Sequence, residues 1–386
     1  MSSTNIAAVC GNGVSIAFNP DLALSSINTE LRARLNENYG EGEAPAQVLV
    51  DLADTVANDD DPNLDFEALL GPLDQMWNAL GVLRRYANVV GPRDRVTAEH
   101  LVGSYEFLRK ARRTGISHAL DIIAERSVAH FDDRLPLRPF VEALFDATGD
   151  FGNLTVGNLN YDNILQACFL DRYKGQVCDL ASGANRMLAS SLTEASGSSN
   201  IPCFQLRDEL DFPRYRRIRL LPLHGSLNWA YSPKDHITVK FDIGTMRAAD
   251  FWKSWRNGET DLEPKVVLTN QPTKSKVVLE HPFSLAYQGL REALLTSDHW
   301  VIAGYSFRDA CVNQLLADVI EQRGHLKYPK ILVVTHGNDL SEMQVKTALG
   351  VTLLHDVIFD RESVIGVQDR RAWGRWMGPT PLAAVS

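Results

Sequence analysis

Four short segments hold the residues that could do chemistry in this chain. They are Gly11-Asn12-Gly13-Val14-Ser15, Asn158-Leu159-Asn160-Tyr161-Asp162, Leu223-His224-Gly225-Ser226 and Gly304-Tyr305-Ser306-Phe307-Arg308-Asp309. Each follows a short apolar run, such as Ile6-Ala7-Ala8-Val9-Cys10 or Trp300-Val301-Ile302-Ala303, that reads as a buried strand. Open α/β sheets bind ligands, nucleotides among them, beyond the carboxyl ends of their strands. Four such segments at the strand ends of one parallel sheet would therefore share a crevice.

The residue types suit that position. Gly11 and Gly13 allow positive φ and the close backbone approach that a pyrophosphate requires, and Ser15 adds a hydroxyl donor. Ile16 stands where a G-x-G-x-x-G fingerprint has its third glycine, and no strand-end acid follows about 20 positions on. The segment is thus not an ordinary dehydrogenase site, and a plain tight turn fits it equally well. Asn160 can hold a ribose hydroxyl or a water without carrying charge, and Asp162 suits the N-cap of the next helix. His224 suits a general base at neutral pH, or a satisfied core histidine. Ser306 can reach phosphate or ribose, and Asp309 lies near a helix start, where the dipole favours a carboxylate. Asn313, one turn further on, faces either the ribose or the core.

The elements that must place these residues read as an α/β, Rossmann-like doubly wound parallel sheet with an inserted helical module. Helical spacing over 46–56, 66–86, 98–111, 117–131 and 137–147 predicts consecutive helices with no strand between them. Asp61-Pro62-Asn63 and Gly91-Pro92-Arg93-Asp94 supply turns, and Thr97 and Ser117 supply helix starts. Strands are expected again at 154–159, 218–223, 266–268, 300–303, 331–335 and 351–358, with helices at 162–170 and 284–296 among them. The expected division is a core of 1–25 with 150–386, and a helical module of 26–149. The Ser-, Gly- and Ala-rich stretch 181–200 reads as a surface loop, and the tail from Arg370, with Trp373 and Trp376, as a packing or oligomer contact.

Composition narrows the class. The 386 residues carry a net charge of −9, which disfavours direct nucleic-acid binding. Arg214-Tyr215-Arg216-Arg217-Ile218-Arg219 is the local exception, read as the wet side of a strand or as a basic rim beside an anion. No run of about 18 apolar residues predicts a membrane span, and the N-terminus lacks the basic region of a signal peptide. The five cysteines are scattered, without a Cys-x-x-Cys pair, and the histidines show no metal spacing. The expectation is a cytoplasmic protein with reduced thiols and no metal.

Taken together, these residues resemble the sirtuin superfamily, and within it the sirtuin-like NAD hydrolases of bacterial antiphage defence. The resemblance covers about 1–25 and 150–340. A Gly-x-Gly-x-Ser loop cradles the cofactor there, matching Gly11, Gly13 and Ser15, and an Asn-Tyr-Asp turn supplies the catalytic asparagine, matching Asn160 with Asp162 beside it. A Leu-His-Gly segment supplies the catalytic histidine, matching His224, and a Gly-Tyr-Ser-x-x-Asp segment completes the nucleotide pocket, matching Gly304, Ser306 and Asp309, with Asn313 following. The resemblance implies an NAD glycohydrolase that takes NAD as substrate. It also implies a homo-oligomer, and a HerA-type hexameric ATPase as partner, with 26–149 as the candidate contact surface. The alternatives are an NAD- or ADP-ribose-binding regulatory subunit and an NAD-dependent deacylase. Against the last, the deacylases carry a four-cysteine zinc ribbon between the histidine and the final strand motif, and Gly225 to Gly304 contains no cysteine.

Overall fold

A computed structural model describes residues 3–37, 44–56, 66–90, 95–128, 136–188, 201–248, 250–268, 271–324, 328–337, 340–351 and 357–378. Its strands, in chain order, are β1 (Ile6–Cys10), β2 (Leu154–Asn158), β3 (Val177–Cys178), β4 (Arg186–Leu188), β5 (Pro202–Gln205) and β6 (Ile218–Pro222). They continue with β7 (Gly225–Ser232), β8 (Ile237–Phe241), β9 (Glu263–Val266), β10 (His299–Ala303), β11 (Lys330–Val334) and β12 (Val357–Asp360). Seven form one parallel sheet in the order β12-β11-β10-β1-β2-β6-β3. All five residues of β1 are buried, as expected for a parallel strand covered on both faces. The chain leaves β1 towards β2 on one side and returns as β10 on the other, so the topological switch lies between β1 and β10.

Successive side chains alternate between two cores. Ile6, Ala8 and Cys10 pack on one face with Val301 and Leu332, while Ala7 and Val9 pack on the other with Trp300 and Val333. The helices are α1 (Asn12–Phe18), α2 (Leu24–Asn36), α3 (Pro45–Val56), α4 (Phe66–Val90), α5 (Arg95–Val128), α6 (Arg138–Asp146) and α7 (Ile164–Tyr173). After β8 come α8 (Ile243–Ala248), α9 (Phe251–Asn257), α10 (Gln271–Val277), α11 (Phe283–Thr296), α12 (Ala310–Arg323), α13 (Glu342–Ala348) and α14 (Arg371–Met377). The first face carries buried residues of α2, α4, α5, α6 and α9, and the second those of α11, α12 and α13. Helices on both faces make the sheet doubly wound, and α2 to α6 form the strand-free helical stretch between β1 and β2.

Three expectations need correction. The helices expected at 98–111 and 117–131 are one, α5, and Ser117, expected as a helix start, lies inside it with its hydroxyl donating to the Trp252 carbonyl (2.7 Å). A Cβ on Gly115 would run into the Leu70 side chain, so the missing side chain lets α5 approach α4. Strands between 186 and 266 form an antiparallel sheet, with order β4-β5-β8-β7-β9, that the strand pattern did not announce. Its edge strand β4 takes residues from the expected loop, whose remainder at 189–200 lies outside the described residues, as do both expected turns near 62 and 92. The arginine run supplies no rim to a site: Arg216 donates to the Val177 carbonyl (2.8 Å) and Arg217 to the Gly149 carbonyl (2.7 Å), at the amino end of the sheet. In the tail, the Trp373 and Trp376 side chains pack into the core, the first of the two readings given for it, with Trp376 donating to the Lys330 carbonyl (3.0 Å).

Candidate active site

The register sets Cys10 beside Asn158 and Ala303, and Asn158 beside Pro222, so the four segments emerge side by side at the carboxyl edge of the sheet. Gly11 caps α1 with extended backbone (φ −107°), and neither it nor Gly13 has positive φ, contrary to expectation. Their requirement for glycine is close approach. A Cβ on Gly13 would stand 2.6 Å from Gly304 Cα, and one on Gly11 2.7 Å from the Gly304 carbonyl oxygen. Gly304 is the residue in the left-handed region, at φ 60°. The amides of Gly11 and Gly13 donate to the carbonyls of Ala303 and Gly304, both at 2.9 Å, which fastens the first segment to the fourth.

Asn160 is buried where β2 ends. Its Nδ2 donates to the Gly11 carbonyl (3.0 Å) and to Ser15 Oγ (2.7 Å), and Ser15 in turn donates to Asp162 Oδ2 (2.6 Å). A carbonyl oxygen only accepts, so the group facing Gly11 must be the amide nitrogen. This fixes the other end of the amide: among the described residues Oδ1 takes part in none of the hydrogen bonds of Asn160, and Asn160 lines the cavity. Asp162 Oδ1 accepts from the Ile164 amide (3.0 Å) ahead of α7, one residue before the N-cap position expected for it. Burial raises the Asp162 pKa against the Ser15 and backbone hydrogen bonds, which favour the ionised form.

His224 is buried after β6, with Nε2 3.1 Å from Asp309 Oδ2, at ion-pair distance but off the angle of a hydrogen bond. Asp309 caps α12 through Oδ1, accepting from the amides of Cys311 (2.9 Å) and Val312 (3.1 Å), while Oδ2 also accepts from Lys274 Nζ (2.9 Å). Burial alone would raise the Asp309 pKa, but His224 and Lys274 reverse this and hold it well below the carboxylate range. Burial would likewise lower the Lys274 pKa, and Glu67 and Asp309 hold it above its ordinary value. Glu67 of α4 lies 3.1 Å from Lys274 and also bonds the Tyr161 hydroxyl. The ionised Asp309 carboxylate thus faces the His224 ring at Nε2.

These groups share one cavity of about 1790 Å³, larger than the roughly 300–1,000 Å³ usual for ligand sites. Gly11, Gly13, Asn160, Asp162, His224, Gly304, Ser306 and Asp309 all line it, as the sequence led us to expect. Ser15 and Asn313 do not. Ser15 lies behind Asn160, while Asn313 accepts from the Tyr305 hydroxyl (2.8 Å) and donates to the Phe307 carbonyl (2.8 Å). Phe307 has φ 57°, so Asn313 braces a loop held in the left-handed region. Sequence reasoning missed Lys274, Glu67 and Tyr161, because no motif surrounds the first two and the third sat unremarked inside one.

A doubly wound sheet with a cavity at its switch point, lined by an asparagine and by a histidine beside a carboxylate, defines an α/β protein of Rossmann-like fold. A SIR2-like domain model matches residues 155–354, just over half of the chain, and the chain belongs to that family. SIR2-like domains are commonly NAD-dependent enzymes. No curated protein matches the chain in sequence. The glycine segment precedes the matched range, but β1 carries it between β2 and β10, into the same site. Among the described residues, no helix is long and apolar enough to cross a membrane.

Proposed function

We propose that this protein hydrolyses NAD at the bond between nicotinamide and ribose. The observation that carries the reading is one cavity with room for a dinucleotide and water, lined both by Asn160, whose amide nitrogen is held by Gly11 and Ser15, and by His224, whose ring faces Asp309. Asn160 Oδ1 accepts a ribose hydroxyl or the attacking water, and the Gly11 and Ser15 bonds hold it in that orientation. As the glycosidic bond breaks, its electron pair neutralises the pyridinium and nicotinamide leaves uncharged. The ribose carbon gains positive character, and the oxygen of water bonds to it. His224 takes the proton from that water, and Asp309 stabilises the imidazolium that forms. Such acid–base assistance contributes roughly 10²–10⁴-fold.

Water is favoured over an acyl-lysine as acceptor because the chain between His224 and β10 folds as β7, β8 and β9 with α8 to α11 and contains no cysteine, whereas the deacylases carry a zinc ribbon there. The same proposal takes the protein as a cytoplasmic, NAD-depleting effector of antiphage defence. It would be a homo-oligomer controlled by a HerA-type ATPase docked on the helices between β1 and β2. The resemblance to such effectors supports this extension. The test is release of nicotinamide and ADP-ribose from NAD by the purified protein, alone and with such an ATPase, beside Asn160→Ala. Release that the variant abolishes supports the reading. NAD binding without release in either setting overturns it in favour of a regulatory NAD-binding role.

A further inference from the structure

The glycine loop is poorly supplied to hold a diphosphate. The Gly11 and Gly13 amides already donate to Ala303 and Gly304, the Val14 amide donates to the Gly11 carbonyl (3.0 Å), and the Ser15 hydroxyl donates to Asp162. Any ligand carrying phosphates would need other donors.

The charged groups of the cavity show where those donors lie. Glu67 and Asp309 are neutralised by Lys274, and Asp162 accepts from Ser15 and Ile164. Two cations line the same cavity without an acidic partner among the described residues: Arg32 of α2 and Arg308 of the loop after β10. Arg32 Nε is buried and bonded to nothing. A buried guanidinium donor without an acceptor is costly, and in a protein of net charge −9 acidic partners are not scarce. Ser25, Thr29 and Arg32 follow one another at helical spacing along the face of α2 that lines the cavity, while Leu31 and Leu35 turn into the core. The Thr29 hydroxyl donates to the Ser25 carbonyl (2.9 Å), so the stripe offers the Ser25 hydroxyl and a planar five-donor cation, which matches phosphate oxygens.

We infer that the diphosphate of the dinucleotide is held by Arg32 of α2, assisted by Arg308, and not by the glycine loop. This rests on the dinucleotide reading above and adds to it that part of the substrate site comes from the helical stretch. The loop's close approach to Gly304 then serves to set Asn160 and the β10 segment in register, and α2 supplies the charge.

Calorimetric titration with ADP-ribose, which carries the diphosphate but has no nicotinamide to lose, tests the assignment without turnover. We expect Arg32→Met to weaken ADP-ribose binding at least tenfold, Arg32→Lys to recover part of it, and Arg308→Gln to weaken it less. The affinity of the unaltered protein should fall with added salt more steeply than that of Arg32→Met. Thermal unfolding of each variant guards against a folding defect, and Arg32→Lys keeps the test open if Arg32→Met fails to fold. ADP-ribose bound equally well by the unaltered protein, Arg32→Met and Arg32→Lys would overturn the inference and leave the dinucleotide reading standing. Failure of the unaltered protein to bind either ADP-ribose or NAD would overturn both.

Discussion

The carboxyl edge of the sheet and the helical stretch from α2 to α6 contribute to one cavity in opposite ways. At the sheet edge, a strand and the few residues after it bring both the chemistry and its placement, as in β2 followed by Asn160 and Asp162 or β6 followed by His224. The helices deliver single residues, Arg32 and Glu67, across long separations: Glu67 meets Lys274 207 positions away. The first kind of site can be removed one side chain at a time, and the second only by disturbing how layers pack. His224→Ala should show the first. It removes a base and leaves the sheet untouched, so we expect NAD cleavage to fall about 10²–10⁴-fold while ADP-ribose binding persists. Loss of binding in parallel would place His224 in the architecture instead.

Lys274 is where the two regions meet, and its removal should be the largest structural insult. Lys274→Met leaves Asp309 and Glu67 facing one another without the buried cation between them. Breaking a buried pair in this way costs about 3–5 kcal/mol, read as the free energy of urea unfolding. Glu67→Gln, which leaves the Lys274–Asp309 contact in place, should cost clearly less. Equal costs would mean that the helical stretch, not the sheet edge, governs the stability of this cluster.

The same contrast explains what could be read from the sequence. Strands β1, β2, β6, β10 and β11 were legible because parallel strands buried on both faces leave short, continuous apolar runs. The residues after them were legible because strand ends are where such sheets bind ligands. Lys274 was not, since α10 carries no pattern beyond Thr273-Lys274-Ser275-Lys276, and its significance arises only when α4 and α12 close around it. The sheet of β4, β5, β7, β8 and β9 escaped notice because its strands, such as β7 with buried Ser226, Asn228 and Ser232, mix polar residues into covered positions and leave no continuous apolar run. Ser117 misled for the reverse reason: a serine suits a helix start, and only the fold shows its hydroxyl turned to the Trp252 carbonyl inside α5.

Gly13→Ala probes the sheet edge at lower cost. The added methyl meets Gly304 Cα at 2.6 Å, and backbone on both sides must shift to admit it. We expect a loss of about 1–3 kcal/mol, typical of overpacking, with Asn160 displaced through its bond to the Gly11 carbonyl and turnover falling more than stability alone explains. Differential scanning calorimetry beside a nicotinamide-release assay separates the two effects. Unchanged turnover at a lowered melting temperature would mean that the loop is scaffold only.

The smallest effect should come from the seam where the helical stretch joins the antiparallel sheet. His118 of α5 lies 3.2 Å from the Arg256 guanidinium of α9, whose N–H requires the histidine Nδ1 lone pair as acceptor. Burial, together with the positive charges of Arg256 and Arg34, pushes the His118 pKa from 6.5 down to about 4, with Glu125 opposing weakly. The folded pKa lies below the unfolded one, so the neutral ring's stabilisation is present in full above pH 6.5 and is lost as pH falls from there towards about 4. Asp121, 4.0 Å from Arg256, works in the other sense, because burial raises its pKa. The difference between the unaltered protein and His118→Gln isolates the ring: glutamine cannot be protonated, so the variant's melting temperature should fall less between pH 7 and pH 4.5. Parallel curves would show that this seam is not held by an uncharged histidine. The acid sensitivity of the molecule would then belong to carboxylates elsewhere, and the helical stretch would be joined to the rest by its apolar faces alone.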